Sequence, residues 1–131
     1  MEQLKYTDLL DYILVLLRIV RKGGQPSHFL SLKALTKLLN YPSPFSDVQE
    51  IGRYLEARGW TKVIYPLGDV RAQITTTGLV YLEEKGKQLE DDFNKYWGEL
   101  KKEKSPKDLV ISVYEEKEDR LKIYLTYWTT L

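Results

Sequence analysis

A mainly α-helical fold carrying one small β-hairpin, in the α+β class, is what this sequence predicts, and three observations lead there. Apolar residues recur at helical spacings of three and four along residues 4–21 and again from Leu79 to Leu100. Between those stretches lie two shorter helical segments separated by the turn Tyr41-Pro42-Ser43-Pro44-Phe45. Two runs rich in β-branched and aromatic residues, 60–65 and 70–75, flank Pro66-Leu67-Gly68-Asp69, which is turn chemistry. A chain of 131 residues is long enough for one domain with a real core and too short for two comfortable ones, so residues 1–104 are read as one domain and 105–131 as a C-terminal extension.

In the first helix, Tyr6, Leu10, Ile13, Leu17 and Val20 alternate spacings of four and three, while Leu9, Leu14 and Leu16 widen the stripe into a broad buried face. Gly23-Gly24 and Pro26 end it, because paired glycines supply left-handed conformations and proline blocks continuation. His28-Phe29-Leu30 reads as a single short strand. Ser31 then caps a helix over 32–40, with Leu30 and Leu35 placed as a hydrophobic staple. Ser46-Asp47-Val48-Gln49 has the form of a capping box and starts a third helix, which runs to about Arg58 and stops at Gly59. Two short helices joined by a proline turn make a helix-turn-helix candidate.

Thr75 caps the fourth helix, whose Leu79, Leu82, Leu89, Phe93, Tyr96 and Leu100 keep the alternation through Gly86 over about three heptads. Ser105-Pro106-Lys107-Asp108 starts a further helix, with proline at its first position. Residues 121–128 also alternate like a strand that 109–114 can pair with. Helix is favoured for 106–131, and a β-hairpin is the alternative. The closing segment Tyr124-Leu125-Thr126-Tyr127-Trp128-Thr129-Thr130-Leu131 is an apolar liability if exposed, so burial in a dimer or continuation of the natural protein, even towards a membrane, both stay open.

Lys and Arg number 20 against 19 Asp and Glu, which argues against a generic basic coat for polyanions. The absence of cysteine excludes a disulfide framework and any thiolate metal site, and fits a reducing, cytoplasmic setting. The longest uninterrupted apolar stretch, 12–17, falls far short of the roughly 18 residues of a membrane span. Glu2, Asp8 and Asp11 at the amino end are foreign to a signal peptide. His28 is the only histidine and cannot anchor a transition metal, and the carboxylates Glu83-Glu84 and Glu90-Asp91-Asp92 lie among lysines as a solvated face. Trp60 reads as a hairpin anchor, with Trp97 and Trp128 as packing residues. With no nucleophile, phosphate-loop, zinc-protease or dinucleotide motif in the chain, neither an enzyme nor a cofactor is expected.

Ile74-Thr75-x-x-Gly78-x-x-Tyr81-Leu82-Glu83 and Leu55-Glu56-Ala57-Arg58-Gly59-Trp60, in this element order, resemble the strand-to-helix junction and the end of the recognition helix of the winged helix-turn-helix family, including MarR-like and PadR-like regulators. The resemblance covers about residues 4–89. It implies a winged helix-turn-helix with long N-terminal and C-terminal helices, a two-stranded wing, and a DNA-binding protein acting as a transcriptional regulator. Family members that bind proteins or only dimerise make a protein-interaction module the alternative, since fold does not imply function.

On the third helix, Val48, Ile51 and Leu55 mark the buried side and leave Gln49, Glu50, Arg53, Glu56 and Ala57 outward. That face is nearly neutral, yet residues 22–71 hold seven basic residues against four acidic. Gln49 and Arg53, one turn apart, are the candidates for reading base edges of double-stranded DNA, and Lys33, Lys37, Lys62 and Arg71 for phosphates. The competing assignment makes Gln49 half of the capping box and the basic residues ordinary solvated charges. Asp69, expected at the wing tip, argues against deep minor-groove insertion. A homodimer is expected through Leu10, Ile13 and Leu17 of the first helix and Leu89, Phe93, Tyr96 and Leu100 of the fourth, the arrangement by which similar regulators set two recognition helices one DNA turn apart. The residues identify no effector ligand.

Overall fold

A computed structural model describes residues 4–22, 29–41 and 44–103. The elements are α1 (Tyr6–Lys22), β1 (Leu30–Ser31), α2 (Leu32–Leu38), α3 (Phe45–Ala57), β2 (Thr61–Ile64), β3 (Arg71–Ile74) and α4 (Thr76–Glu103). The fold is mostly helical with a small three-stranded antiparallel sheet, an α+β arrangement. The expected extension 105–131, Trp128 and His28 lie outside the described residues.

The stripe on α1 is wider than one helix face. Residues 9–17 are all buried apart from Asp11, because α1 runs through the centre with α2, β3 and α4 packed against it. Local chemistry sets the ends of α2. The Ser31 hydroxyl accepts from the Ala34 N–H at 3.2 Å, as a capping serine should. At the other end Asn40 takes φ 60, and the N–H groups of Asn40 and Tyr41 bond to the carbonyls of Lys37 and Thr36. That is a Schellman stop, and it ends the helix at Leu38, ahead of the expected Asn40. The same closure recurs after α3 at Gly59, whose φ is 76 and whose N–H bonds to Glu56.

The expected capping box at Ser46 is not used. Pro44 is the N-cap, its carbonyl accepts from the N–H groups of Asp47 and Val48, and no side chain caps the helix. Proline already holds the φ of −63 that this position takes, so the helix begins at Phe45 and Gln49 sits too deep to reach back to the cap.

The short strand expected alone over 28–30 instead runs Leu30–Ser31 and joins the hairpin. Leu30 pairs with Ala72 and Ser31 with Arg71, which places β3 between β1 and β2. Alternation then sorts the hairpin. Thr61, Ala72 and Ile74 face the core, whereas Lys62 and Ile64 face outward and are exposed.

Helix α4 departs from the uninterrupted seam expected. Gly86 has φ 72 and ψ −158, so the helix breaks there, in a conformation that glycine alone adopts easily. The bend accounts for two contacts that a straight helix would set about 18 Å apart: Tyr81 donates to Asp11 at 2.7 Å, and Phe93 meets the ring of Tyr12 edge-on at 5.2 Å.

The apolar positions assigned to a dimer seam are buried within the one chain. Leu10, Ile13, Leu17, Leu89, Phe93 and Leu100 are no more than 8% exposed, and Tyr96 is half-buried, in a common core with α1 and α4 in contact. The apolar periodicity of α1 is thus matched by that of α4 within the chain.

Tyr12 lies in this seam, and burial first, then the nearby carboxylates of Asp8, Asp92 and Asp11, pushes its phenol up to about 12. A folded value above the unfolded 10 means that stability is full below pH about 10 and is lost as pH rises from there towards 12, by about 2–3 kcal/mol. Urea unfolding at rising pH through that window should show the loss, and Tyr12→Phe should reduce it. An unchanged profile in Tyr12→Phe would remove Tyr12 as the cause.

Candidate nucleic-acid interface

The outward side of α3 is as the helical period dictates. Val48, Ile51 and Leu55 are fully buried, Glu50, Arg53, Glu56 and Ala57 are exposed, and Gln49 is half-buried. Gly52 is buried too, and its missing side chain lets α3 sit close to the hairpin, since an added Cβ would lie 2.9 Å from Val70 Cγ1. This close approach sets the outward face beside β2. Glu56 accepts from the Val63 N–H at 3.3 Å, on the edge strand. The phenol of Tyr65 is pushed up by partial burial and by the Glu56 charge, against a lowering by Arg53.

The hairpin turn is built by Pro66, Leu67, Gly68 and Asp69. The Asp69 N–H bonds to the Pro66 carbonyl at 3.0 Å, and Gly68 takes the positive φ, 77, that a type II turn needs at its third position. Asp69 does not stand at the tip, as the sequence had suggested. Its carboxylate accepts from the Ser31 hydroxyl at 3.0 Å, the Val70 N–H at 2.8 Å and Arg71 Nε at 2.8 Å, which ties the base of the turn to the start of α2. This half-buried ion pair occupies Arg71, a residue assigned to phosphates. The apex is left to Leu67, which stands fully clear of the molecule.

Next to the hairpin lies an open cleft of about 400 Å³, lined by Arg21, Lys62, Gln73, Ile74 and the three threonines 75–77. Lys62 reaches it from the outward face of the sheet. Arg21, from the end of α1, donates to the Ile74 carbonyl at 2.8 Å and so joins that helix to the end of β3. Sequence reasoning missed Arg21, because its partner is 53 positions away and no local pattern signals the contact. Lys33 and Lys37 are exposed one turn apart on α2.

Arg58, a further basic residue of this half, is held by aromatic rings. Its guanidinium lies 5.2 Å from the ring centre of Tyr54 and 5.8 Å from that of Trp60, and its Nε donates to the Tyr54 hydroxyl at 3.2 Å. Trp60 stacks on Tyr81 at 3.9 Å, so the anchor expected of Trp60 joins α3 and the hairpin to α4. The same tyrosine donates to Asp11, whose carboxyl burial pushes up while the hydrogen bond from Tyr81 and the Lys85 charge pull it back.

Among the described residues, no group of three or more histidines, cysteines, aspartates or glutamates is placed to hold a metal ion. The carboxylates 83–84 and 90–92 are exposed, and Glu90 pairs with Arg18 at 3.4 Å. No described helix is long and apolar enough to cross a membrane. No family model, curated protein or solved structure matches the chain.

Proposed function

We propose that this chain is a winged-helix DNA-binding protein, a cytoplasmic transcriptional regulator and not an enzyme, with α3 as recognition helix and the β2–β3 hairpin as wing. The observation that carries the reading is the side-by-side placement of the exposed Arg53 face of α3 and the hairpin, whose outward Lys62 shares a cleft with Arg21. A helix face with one cation is a weak polyanion binder on its own; cations on neighbouring elements supply the phosphate contacts it lacks. Because Pro44 is the N-cap of α3, Gln49 is released from the capping role and is available with Arg53 for base edges. Arg71 contributes less than Lys33, Lys37 or Lys62, as Asp69 already neutralises it. A homodimer on an interface outside the α1–α4 seam would place two α3 helices on successive half-sites, and light scattering at micromolar concentration would return twice the chain mass.

The test is fluorescence anisotropy of a labelled duplex at about 50 and 200 mM salt. Binding should weaken steeply between the two. Lys62→Ala should lower affinity for every sequence and reduce the salt slope by about one, whereas Arg53→Ala should relax sequence preference by about 1–3 kcal/mol at one position. Equal effects from both would overturn the assigned roles. No binding at the lower salt would favour the protein-interaction module instead, through the same outward surfaces.

A further inference from the structure

We propose that the cleft at the base of the hairpin is a binding site for a small phosphomonoester, a free phosphorylated compound held by its terminal phosphate. The site goes beyond the DNA-binding reading above and does not rest on it. The cleft, about 400 Å³, lies at the end of the hairpin opposite the turn at 66–69, where the end of α1, the outward face of the sheet and the start of α4 meet. Among the described residues its charged lining consists of Arg21 and Lys62, with no carboxylate. Arg21 is half-buried, and its Nη1 donates to the Ile74 carbonyl at 2.8 Å, which fixes the guanidinium at the wall and leaves further N–H donors to offer. Lys62 is exposed on β2. Thr76 and Thr77 are exposed and open α4, which runs to its break at Gly86 as a helix of its own. The polar groups of Thr75 are occupied: its hydroxyl donates to the Gly59 carbonyl at 2.6 Å and accepts from the Gly78 N–H at 3.1 Å, and its carbonyl accepts from the Leu79 N–H at 3.0 Å. The N–H groups of Thr76 and Thr77 have no carbonyl one helical turn back to meet, so both are left for water or a ligand.

The cations of the cleft select its anion. Arg21 and Lys62, aided by the positive end of the α4 dipole, favour a dianion, and a phosphomonoester carries a charge of about −1.5 to −2 at neutral pH. The donors come from separate elements, a guanidinium from α1, an ammonium from β2 and hydroxyl and N–H groups from α4, which suits the several acceptor oxygens of a terminal phosphate. A volume of about 400 Å³ falls in the range of small-molecule sites and leaves space beside the phosphate for its organic group. The DNA backbone is the other source of phosphate chemistry, but each of its phosphodiesters carries only about one charge. Charge and volume thus favour the free monoester.

The experiment follows the amide spectrum of the nitrogen-15-labelled chain at about 50 mM salt, where charges are only moderately screened. Inorganic phosphate, ribose 5-phosphate and dimethyl phosphate are each titrated to about 20 mM, well past a millimolar Kd. Inorganic phosphate and ribose 5-phosphate should move the Thr76 and Thr77 amides and the Arg21 Nε–H along saturating curves, and dimethyl phosphate should bind about tenfold more weakly, the loss of one charge-assisted contact. Lys62→Gln should weaken the first two by about tenfold or more. Thr76→Asp sets an acid in the site at a position where it also favours the helix N-terminus, so thermal stability should hold while the titrations go flat. Flat titrations in the wild type, movement by inorganic phosphate alone, or full binding kept in Thr76→Asp each overturns the site and leaves the DNA-binding reading untouched. Movement of these signals by a DNA duplex and dimethyl phosphate but not by ribose 5-phosphate assigns the cleft to the backbone and overturns the monoester. Saturating ribose 5-phosphate shifts in a chain that binds no duplex would sink the DNA-binding reading and leave the site standing.

Discussion

Phe93→Ala is expected to remove about 3–5 kcal/mol of stability, the range for truncating a fully buried phenylalanine. Phe93 is 1% exposed, meets Tyr12 edge-on at 5.2 Å and stacks on Trp97 at 5.9 Å, so alanine leaves a void bordered by two aromatic rings. Against the roughly 5–15 kcal/mol that holds a typical domain together, the variant should be marginal at room temperature. The measurement also separates two meanings of the same apolar stripe. If the seam is internal, the denaturation midpoints of wild type and variant are both independent of protein concentration. A wild-type midpoint that rises with concentration, and a variant that falls apart into half-mass species, would mean that the seam joins two chains.

Gly78→Ala should also be damaging, although alanine is the better helix former by about 1 kcal/mol. A Cβ at position 78 would press against the Trp60 carbonyl oxygen and lie 2.7 Å from Ile74 Cγ1. The first of these is backbone and cannot swing aside. It also accepts from the Thr75 N–H at 2.9 Å, and Thr75 in turn caps α4 through the Gly78 N–H at 3.1 Å. Relieving the clash would pull α4 away from the hairpin and strain both bonds. Overpacking of this kind costs about 3 kcal/mol, so clash outweighs propensity and the net loss is about 2 kcal/mol. Thermal unfolding should fall by roughly 10 °C. Gly98→Ala is the control, since among the described residues nothing outside its own helical turn lies within 4 Å of its added Cβ, and it should be neutral or slightly stabilising. Equal losses in the two variants would show that helix entropy, not the junction, governs position 78.

Several site positions were legible from the chain. The buried edge of α3 at Val48, Ile51 and Leu55, the caps at Ser31 and Thr75 and the turn at 66–69 all follow from residues within a few positions of one another. The start of α3 was misread because two local cap patterns compete, and the pre-set backbone of Pro44 prevailed over the side chains of a capping box. The setting of Asp69 was invisible for a different reason. An acid beside a turn glycine looks like a tip residue until Ser31, 38 positions earlier, is seen to hold it.

The sequence by itself determined where helices and strands form and which side of each is apolar, because helical period, strand alternation and capping act over about four residues. Only the tertiary structure decided what covers those sides. It set α1 and α4 against each other within one chain, added β1 to the hairpin and broke α4 at Gly86. It also withdrew Asp69 and left Leu67 alone at the apex. The contacts behind these outcomes join residues as far apart as Asp11 and Tyr81, 70 positions along the chain, where burial and shape select one partner among many that local pattern leaves equivalent.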